Sequence, residues 1–326
     1  MLTSILDNPI IWRIIGILSF TLYDKLTWEW YHYIEWIFLM FLALSILGSL
    51  VLLIGEYFGY TTINTTIPPG TGKAGILEEF ELIDRTYITI NKLVTCIFTY
   101  QVIHYTWYET DIVQWSFPNT TSLINQLAQI LLTLVCFYVI YDFGYTLFHW
   151  GLHHGSIYRF VHKHHHRNCV PFRGNLDAIN VHPFEFITGE YNHLFAIHLT
   201  GILFKKYSSL LFGESIKIHI GVLGFFIIIG GILASFNHTR YAIALPLGLF
   251  QVAYHDVHHA KQMFNYGQYT MFWDRIFGTF KAHDLFDEYS GKINNNNSKK
   301  NSNNNSEPSL TSLYWKPTKE QSKKAK

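Results

Sequence analysis

The segment Trp36–Phe58 carries no charged residue before Glu56, and that run limits what the chain can become. A bilayer core takes about 20 apolar residues in helical form, so such a run is a membrane helix or a fully buried one. Leu123–Phe148 is a second long run, with Asp142 as its charged interruption, and Ile216–Phe236 is a third, rich in glycine. Ile88–Trp107 is broken by Asn91, Lys92, Gln101 and His104, and the short Tyr191–Phe204 contains His193 and His198. Tyr241–Ala253 is too short to span, contains Pro246 and suits a re-entrant or buried segment. Only 14% of the 326 residues are charged. An ordinary soluble domain has about 25%, so the runs read as membrane helices. A net charge of +1 offers nucleic acid no basic surface.

These runs predict an all-α chain in three parts: N-terminal membrane helices over 1–120, a catalytic unit over 121–289, and a tail over 290–326. Within the first part, Ile10–Tyr23 is short and interrupted by Arg13, which suits an interfacial helix. The N-terminal residues lack the basic stretch and cleavage site of a signal peptide. The tail is Asn-, Ser- and Lys-rich and cannot bury enough apolar area to fold. Cys96, Cys136 and Cys169 form no paired motif. The loop Tyr108–Ser122 has no Lys or Arg, whereas Arg159–Arg173 holds Arg159, Lys163, Arg167 and Arg173. The positive-inside rule puts the second stretch in the cytosol. Lys205, Lys206 and Lys217, at the tip of the hairpin that follows, argue for a shallow hairpin.

Histidine is the unusual residue, with 18 copies. His149-Trp-Gly-Leu-His153-His154 forms one cluster. His-x-x-His-His occurs twice, as His162/His165/His166 and His255/His258/His259. At this composition roughly 0.05 such matches are expected by chance, so two are informative. His182 in His-Pro-Phe-Glu and His238 in Asn-His-Thr-Arg-Tyr form a looser group. Helical residues three and four apart share a face, so each His-x-x-His-His presents its imidazoles to one point. Imidazole suits iron, zinc and copper, and nine or more histidines exceed what one ion accepts. His164 points off the shared face; His193, His198 and His219 sit in apolar segments and are weaker candidates; His32, His104 and His283 read as interfacial or core residues. Metal-bound imidazoles usually donate their other N–H to a carboxylate, which makes Asp142, Glu185, Asp256 and Asp274 candidates for that support. The clusters follow helix ends, so an even number of crossings between them gathers every cluster on the cytosolic face.

With these motifs the chain resembles the fatty acid hydroxylase/sterol desaturase superfamily of membrane di-iron enzymes. The likeness runs over roughly 120–285 and includes Asn265-Tyr-Gly-Gln-Tyr and Trp273-Asp-Arg-Ile-Phe-Gly-Thr-Phe280, closest to the C-5 sterol desaturase branch. It implies polytopic membrane helices under a cytosolic histidine-rich helical cap with a di-metal site. The ligands it implies are His149, His153 or His154, His162, His165, His166, His238, His255, His258 and His259. A second histidine near His238 is common in related enzymes and missing here, so a further ligand could come from His182. The likeness also implies two non-haem irons and O2 as oxidant. The substrate would be a lipid, with electrons from cytochrome b5 and its NAD(P)H-dependent reductase. Lys323-Lys-Ala-Lys326 looks like an endoplasmic reticulum retrieval signal, which faces the cytosol. Within the superfamily, fatty acid or sphingolipid hydroxylation and sterol C-4 methyl oxidation are alternatives to sterol desaturation. Further alternatives are a zinc hydrolase, a membrane metal-binding or transport protein, and a catalytically silent superfamily member acting as a lipid-binding scaffold.

Overall fold

The computed structural model describes residues 30–57, 77, 79–106, 110–118 and 121–282. The expected interfacial segment Ile10–Tyr23, the tail from 290 and the Lys323–Lys326 sequence lie outside the described residues.

Five long helices make up most of the fold: α1 (Trp30–Tyr57), α2 (Leu82–His104), α3 (Leu123–Leu152), α4 (Pro183–Tyr207) and α5 (Ile220–Phe236). Three of them begin where the sequence supplies a side-chain partner for the first turn. Glu81 N–H donates to Asp84 at the start of α2 (2.8 Å), Asn125 N–H to Ser122 Oγ at α3 (3.3 Å), and Phe184 N–H to His182 Nδ1 at α4 (3.2 Å). Capping side chains satisfy backbone donors that a first helical turn leaves open. The His182-Pro183 start explains why α4 begins well before the expected Tyr191: proline at the first helical position has no N–H to satisfy.

Ile34–Tyr57 and Leu123–Leu152 are long and apolar enough to cross a membrane. Both expose what water would reject. Phe38, Leu42, Ile46 and Leu50 form an outward stripe on α1, and Leu127, Leu131 and Val135 form one on α3. Outward apolar stripes on two helices of spanning length mark a membrane protein. The inward faces meet on Phe98, Phe137, Ile197 and Phe226, all buried, with the Phe137 and Phe226 rings 4.7 Å apart.

The helices share one functional end. Tyr241, just after α5, donates to Leu52 O near the end of α1 (3.4 Å). Asn91 of α2 donates to Ile179 O and Val181 O just before α4 (both 2.9 Å). At the opposite end, β1 (Val113–Gln114) pairs in parallel with β2 (Ile218–His219), Val113 opposite Ile218. Lys205 of the hairpin tip lies at that end, 3.4 Å from Asp111. The run expected from Ile216 therefore enters its helix through the short strand Ile218–His219. The 17 residues of α5 rise about 25 Å, short of a bilayer's hydrocarbon core of about 30 Å.

Tyr241–Ala253, expected as a re-entrant or buried segment, is extended and turned until Val252. Leu245 N–H donates to Phe250 O (2.8 Å) and Val252 N–H to Ile243 O (3.1 Å), closing a small hairpin. Its turn is built at Pro246–Gly248, where Leu247 (φ 61) and Gly248 (φ 64) are left-handed. Leu245, Leu247 and Leu249 are exposed on it. The end of the run starts α6 (Val252–Lys261), which carries the second His-x-x-His-His, and α7 (Phe272–Phe277) closes the cap.

Candidate metal centre

Nine histidines converge at the shared end in two groups. His149, His153, His162, His166 and His258 form one, and His165, His238, His255 and His259 the other. All but His153 are buried. Each His-x-x-His-His motif is divided between the groups. His162 and His166 enter the first and His165 the second, while His255 and His259 enter the second and His258 the first. The expectation of one shared point therefore gives way to a sharper rule. The pairs four apart stay together, and the residue three along, turned by about 100° from its neighbour on a helix of 3.6 residues per turn, serves the other group. The segment carrying the first motif is wound irregularly, with a π-helical turn over Tyr158–His162 and a 3₁₀ turn over His165–Arg167.

Backbone carbonyls fix the tautomers of three of these rings. His149 Nδ1 donates to Tyr266 O, His258 Nδ1 to Phe264 O (2.8 Å each) and His238 Nδ1 to Ala234 O (2.9 Å). His162 Nδ1 lies 2.9 Å from Glu185 Oε1. With the proton on Nδ1, the Nε2 of His149, His258 and His238 presents a lone pair. Those lone pairs crowd together: His162 Nε2 is 3.0 Å from His149 and from His153 and 2.9 Å from His166. In the second group, His255 Nε2 is 3.2 Å from His238 and 3.1 Å from His259. A proton between neighbours would relieve the crowding, but burial works against it. Desolvation pushes His162 down to about 3, and holds His165, His166, His255, His258 and His259 well below the ordinary histidine value.

Bare nitrogens at such spacings fit a cation. Ligands at about 2.1 Å and right angles lie about 3.0 Å apart, whereas tetrahedral ones lie about 3.4 Å apart. Five imidazoles also exceed the four ligands of a closed zinc site. The donor set thus fits two ions of higher coordination number and does not fit one zinc.

The other candidates take different places. His154 is exposed and its Nδ1 bonds Trp150 O (2.8 Å), so it lies outside both groups and His153 occupies the position left open between them. His182 caps α4 and joins neither group. The second group therefore has one histidine fewer than the first, with Ala242 four residues after His238. Glu185, in the first turn of α4, is the one carboxylate of the four singled out that reaches a ligand ring. Asp274 instead accepts from Tyr266 N–H and Gly267 N–H (2.8 Å each) and Thr279 Oγ1 (2.7 Å), so it fixes the segment whose carbonyl holds His149. Asp142 does the same for Tyr269 N–H (3.1 Å) and Thr270 N–H (2.6 Å). Asp256 faces Arg240, 3.7 Å away.

Asp84 is the residue that sequence reasoning missed. Fully buried, it lies 3.0 Å from His164 and 2.9 Å from Asn180, and so ties α2 to the loop carrying the first motif. Its capping-box spacing to Glu81 was the available signal. His193 bonds Tyr269 OH (2.9 Å), His198 meets Tyr105 OH, and His219 caps α5. A cavity of about 410 Å³ opens beside the second group. It is lined by His165, His238 and His255 at one end and by Leu44, Phe98 and Ile227 along its body.

Residues 134–279 match the family model described as fatty acid hydroxylase. The Delta(7)-sterol 5(6)-desaturase of Eremothecium gossypii is 31% identical over 156 residues, covering 46% of this chain and 39% of that protein. The methylsterol monooxygenase 1 of Rattus norvegicus is 29% identical over 158 residues, 48% of each. The very-long-chain aldehyde decarbonylase GL1-5 of Oryza sativa subsp. indica is 28% identical over 161 residues, 47% of this chain and 24% of that one. The chain thus spans less than half the length of these relatives. No solved structure matches.

Proposed function

We propose, from the match of residues 134–279 to the fatty acid hydroxylase model, that the chain is a membrane di-iron oxidoreductase of that family that uses O2 to desaturate or hydroxylate a lipid, in first place a sterol. One observation carries the reading: nine histidines present crowded, unprotonated nitrogens in two groups beside an apolar cavity. His149, His153, His162, His166 and His258 would hold one iron, and His165, His238, His255 and His259 the other. The bound irons would supply the oxidising power that removes hydrogen from an unactivated C–H bond.

The chain's own residues do the rest. Glu185 keeps the proton of His162 on Nδ1. The carbonyls of Tyr266, Phe264 and Ala234 do the same for His149, His258 and His238, so that the Nε2 atoms of these four stay free for metal. The second group has fewer histidines and is the one that lines the cavity, so the lipid is presented there. The apolar walls exclude water from the reacting carbon.

The catalytic unit is proposed as 121–289, which encloses the matched residues. Asp84 of α2 and Leu44 of α1 extend the working site into the N-terminal helices. Arg159, Lys163, Arg167 and Arg173 lie among the histidine-bearing segments, which supports a cytosolic catalytic face on a multi-pass protein of the endoplasmic reticulum. Cytochrome b5 and its reductase are the proposed electron source.

Methyl oxidation is the second reading, favoured by the likeness to methylsterol monooxygenase 1. Lipid profiling of cells lacking the protein separates the two. Build-up of a sterol one double bond short supports desaturation, and build-up of a methylated sterol supports the second reading. Loss of a hydroxylated acyl chain with unchanged sterols refutes both. A metal transporter, the alternative of another class, predicts metal flux in vesicles and unchanged lipids.

A further inference from the structure

The cavity is apolar along most of its length, yet one wall is not. Lys92, Thr95 and Thr99 of α2 all line it, at positions i, i+3 and i+7, which share one helix face. Glu190 of α4 lines it too and accepts a hydrogen bond from Thr95 Oγ1 (3.1 Å). Lys92 Nζ sits 5.6 Å from the centre of the Phe41 ring, and among the described residues no ion pair joins it to Glu190. An acid and a base therefore face the same greasy space without neutralising each other. Ionisable groups facing an apolar cavity carry a free-energy cost and mark a functional contact.

The missing element must give a hydrogen bond to a carboxylate and take one from an ammonium. A hydroxyl does both with a single oxygen. An ether or ester oxygen has no proton for Glu190, and a free fatty acid sets its own negative charge against it. We propose that Lys92, Thr95 and Glu190 are specificity-determining residues that read a free hydroxyl on the lipid, while its hydrocarbon body lies against α1 and α5. The inference rests on the cavity being the substrate site, and it restricts that site to alcohols among the lipids the family fold could admit.

The test is equilibrium binding by the full chain in nanodiscs, with a Δ7-sterol bearing a free 3-hydroxyl and with its 3-methyl ether. The wild type should bind the alcohol at least about tenfold tighter, since hydrogen bonds to charged groups are the stronger kind. In Glu190→Leu the alcohol should fall to the ether's affinity, the ether should hold its own, and iron content should stay unchanged. Lys92→Met gives the same comparison if Glu190→Leu does not fold. Equal affinities in the wild type, or a preference that survives both substitutions, would overturn the hydroxyl-reading role while leaving the proposed oxidation intact. Iron-loaded wild type that binds neither sterol would overturn the reading of the cavity itself.

Discussion

Replacing Glu185 with glutamine changes the carboxyl group that faces the imidazole on which the five-histidine group is centred. Glu185 Oε1 lies 2.9 Å from His162 Nδ1, and His162 Nε2 lies within 3.0 Å of three other ligand nitrogens. Partners of metal-bound histidines are worth about 10- to 100-fold in metal affinity, or about 1.4 to 2.7 kcal/mol. A glutamine carbonyl can still accept the Nδ1 proton, so Glu185→Gln belongs at the low end, near tenfold. Glu185→Leu removes the acceptor and frees His162 to carry its proton on Nε2, facing the ion, so it belongs at the high end. The assay is iron retention against a graded chelator in purified protein. The account expects one of two irons to leave early and the second, held without His162, to leave as in the wild type. Identical chelator profiles for wild type and Glu185→Leu would refute the assignment of Glu185 and the tautomer argument with it.

Four further outcomes follow from the same geometry. His258→Ala and His153→Ala should abolish lipid oxidation and lower bound iron while membrane insertion persists, whereas His154→Ala should keep both; cell-based turnover with metal analysis decides. A Cβ at Gly267 would sit 2.5 Å from Thr270 O and 2.9 Å from Asp274 Oδ2, so Gly267→Ala should lower the melting temperature and the iron content. Gly151 has nothing within 4 Å of its Cβ position, so Gly151→Ala should change neither, and equal behaviour of the two variants would contradict the packing. Metal-free protein should lose stability as pH falls below about 6.5. There the unfolded chain takes up protons that the buried His162, His165, His166, His255, His258 and His259 refuse, each worth up to about 1.4 kcal/mol per pH unit. Melting curves at pH 7.5 and 5.5 test the sign, and an equal or higher midpoint at 5.5 would refute it.

The long apolar runs and the ligand-type residues were legible because both are one-dimensional signals. Length and hydrophobicity mark α1 and α3, and histidine spacing marks eight of the nine converging residues, with His238 coming from the family resemblance. The division of each His-x-x-His-His between two groups was not legible. Periodicity says which residues share a face, but not that a second centre flanks that face at His165 and at His258. The choice of His153 over His154 needed the end of α3, where His153 is the last capping position and His154 already turns outward. Support for the ligands was sought among carboxylates, and Glu185 answers to that. The carbonyls of Tyr266, Phe264 and Ala234 do most of the work, and a carbonyl has no signature in sequence. Asp142 and Asp274 were visible as buried acids near the motifs, yet what they bind is the backbone of 266–270. Asp84 was hidden by its position in a stretch that reads as membrane anchor.

The claim on which everything rests is that two ions share nine histidines. The direct measurement is metal analysis, with Mössbauer spectroscopy, of the full chain purified in detergent and loaded with ⁵⁷Fe(II). The account predicts two irons per chain in nitrogen-rich sites that are not identical, one with five imidazoles and one with four. A single tightly held zinc, or iron that washes away from a folded chain, would contradict it.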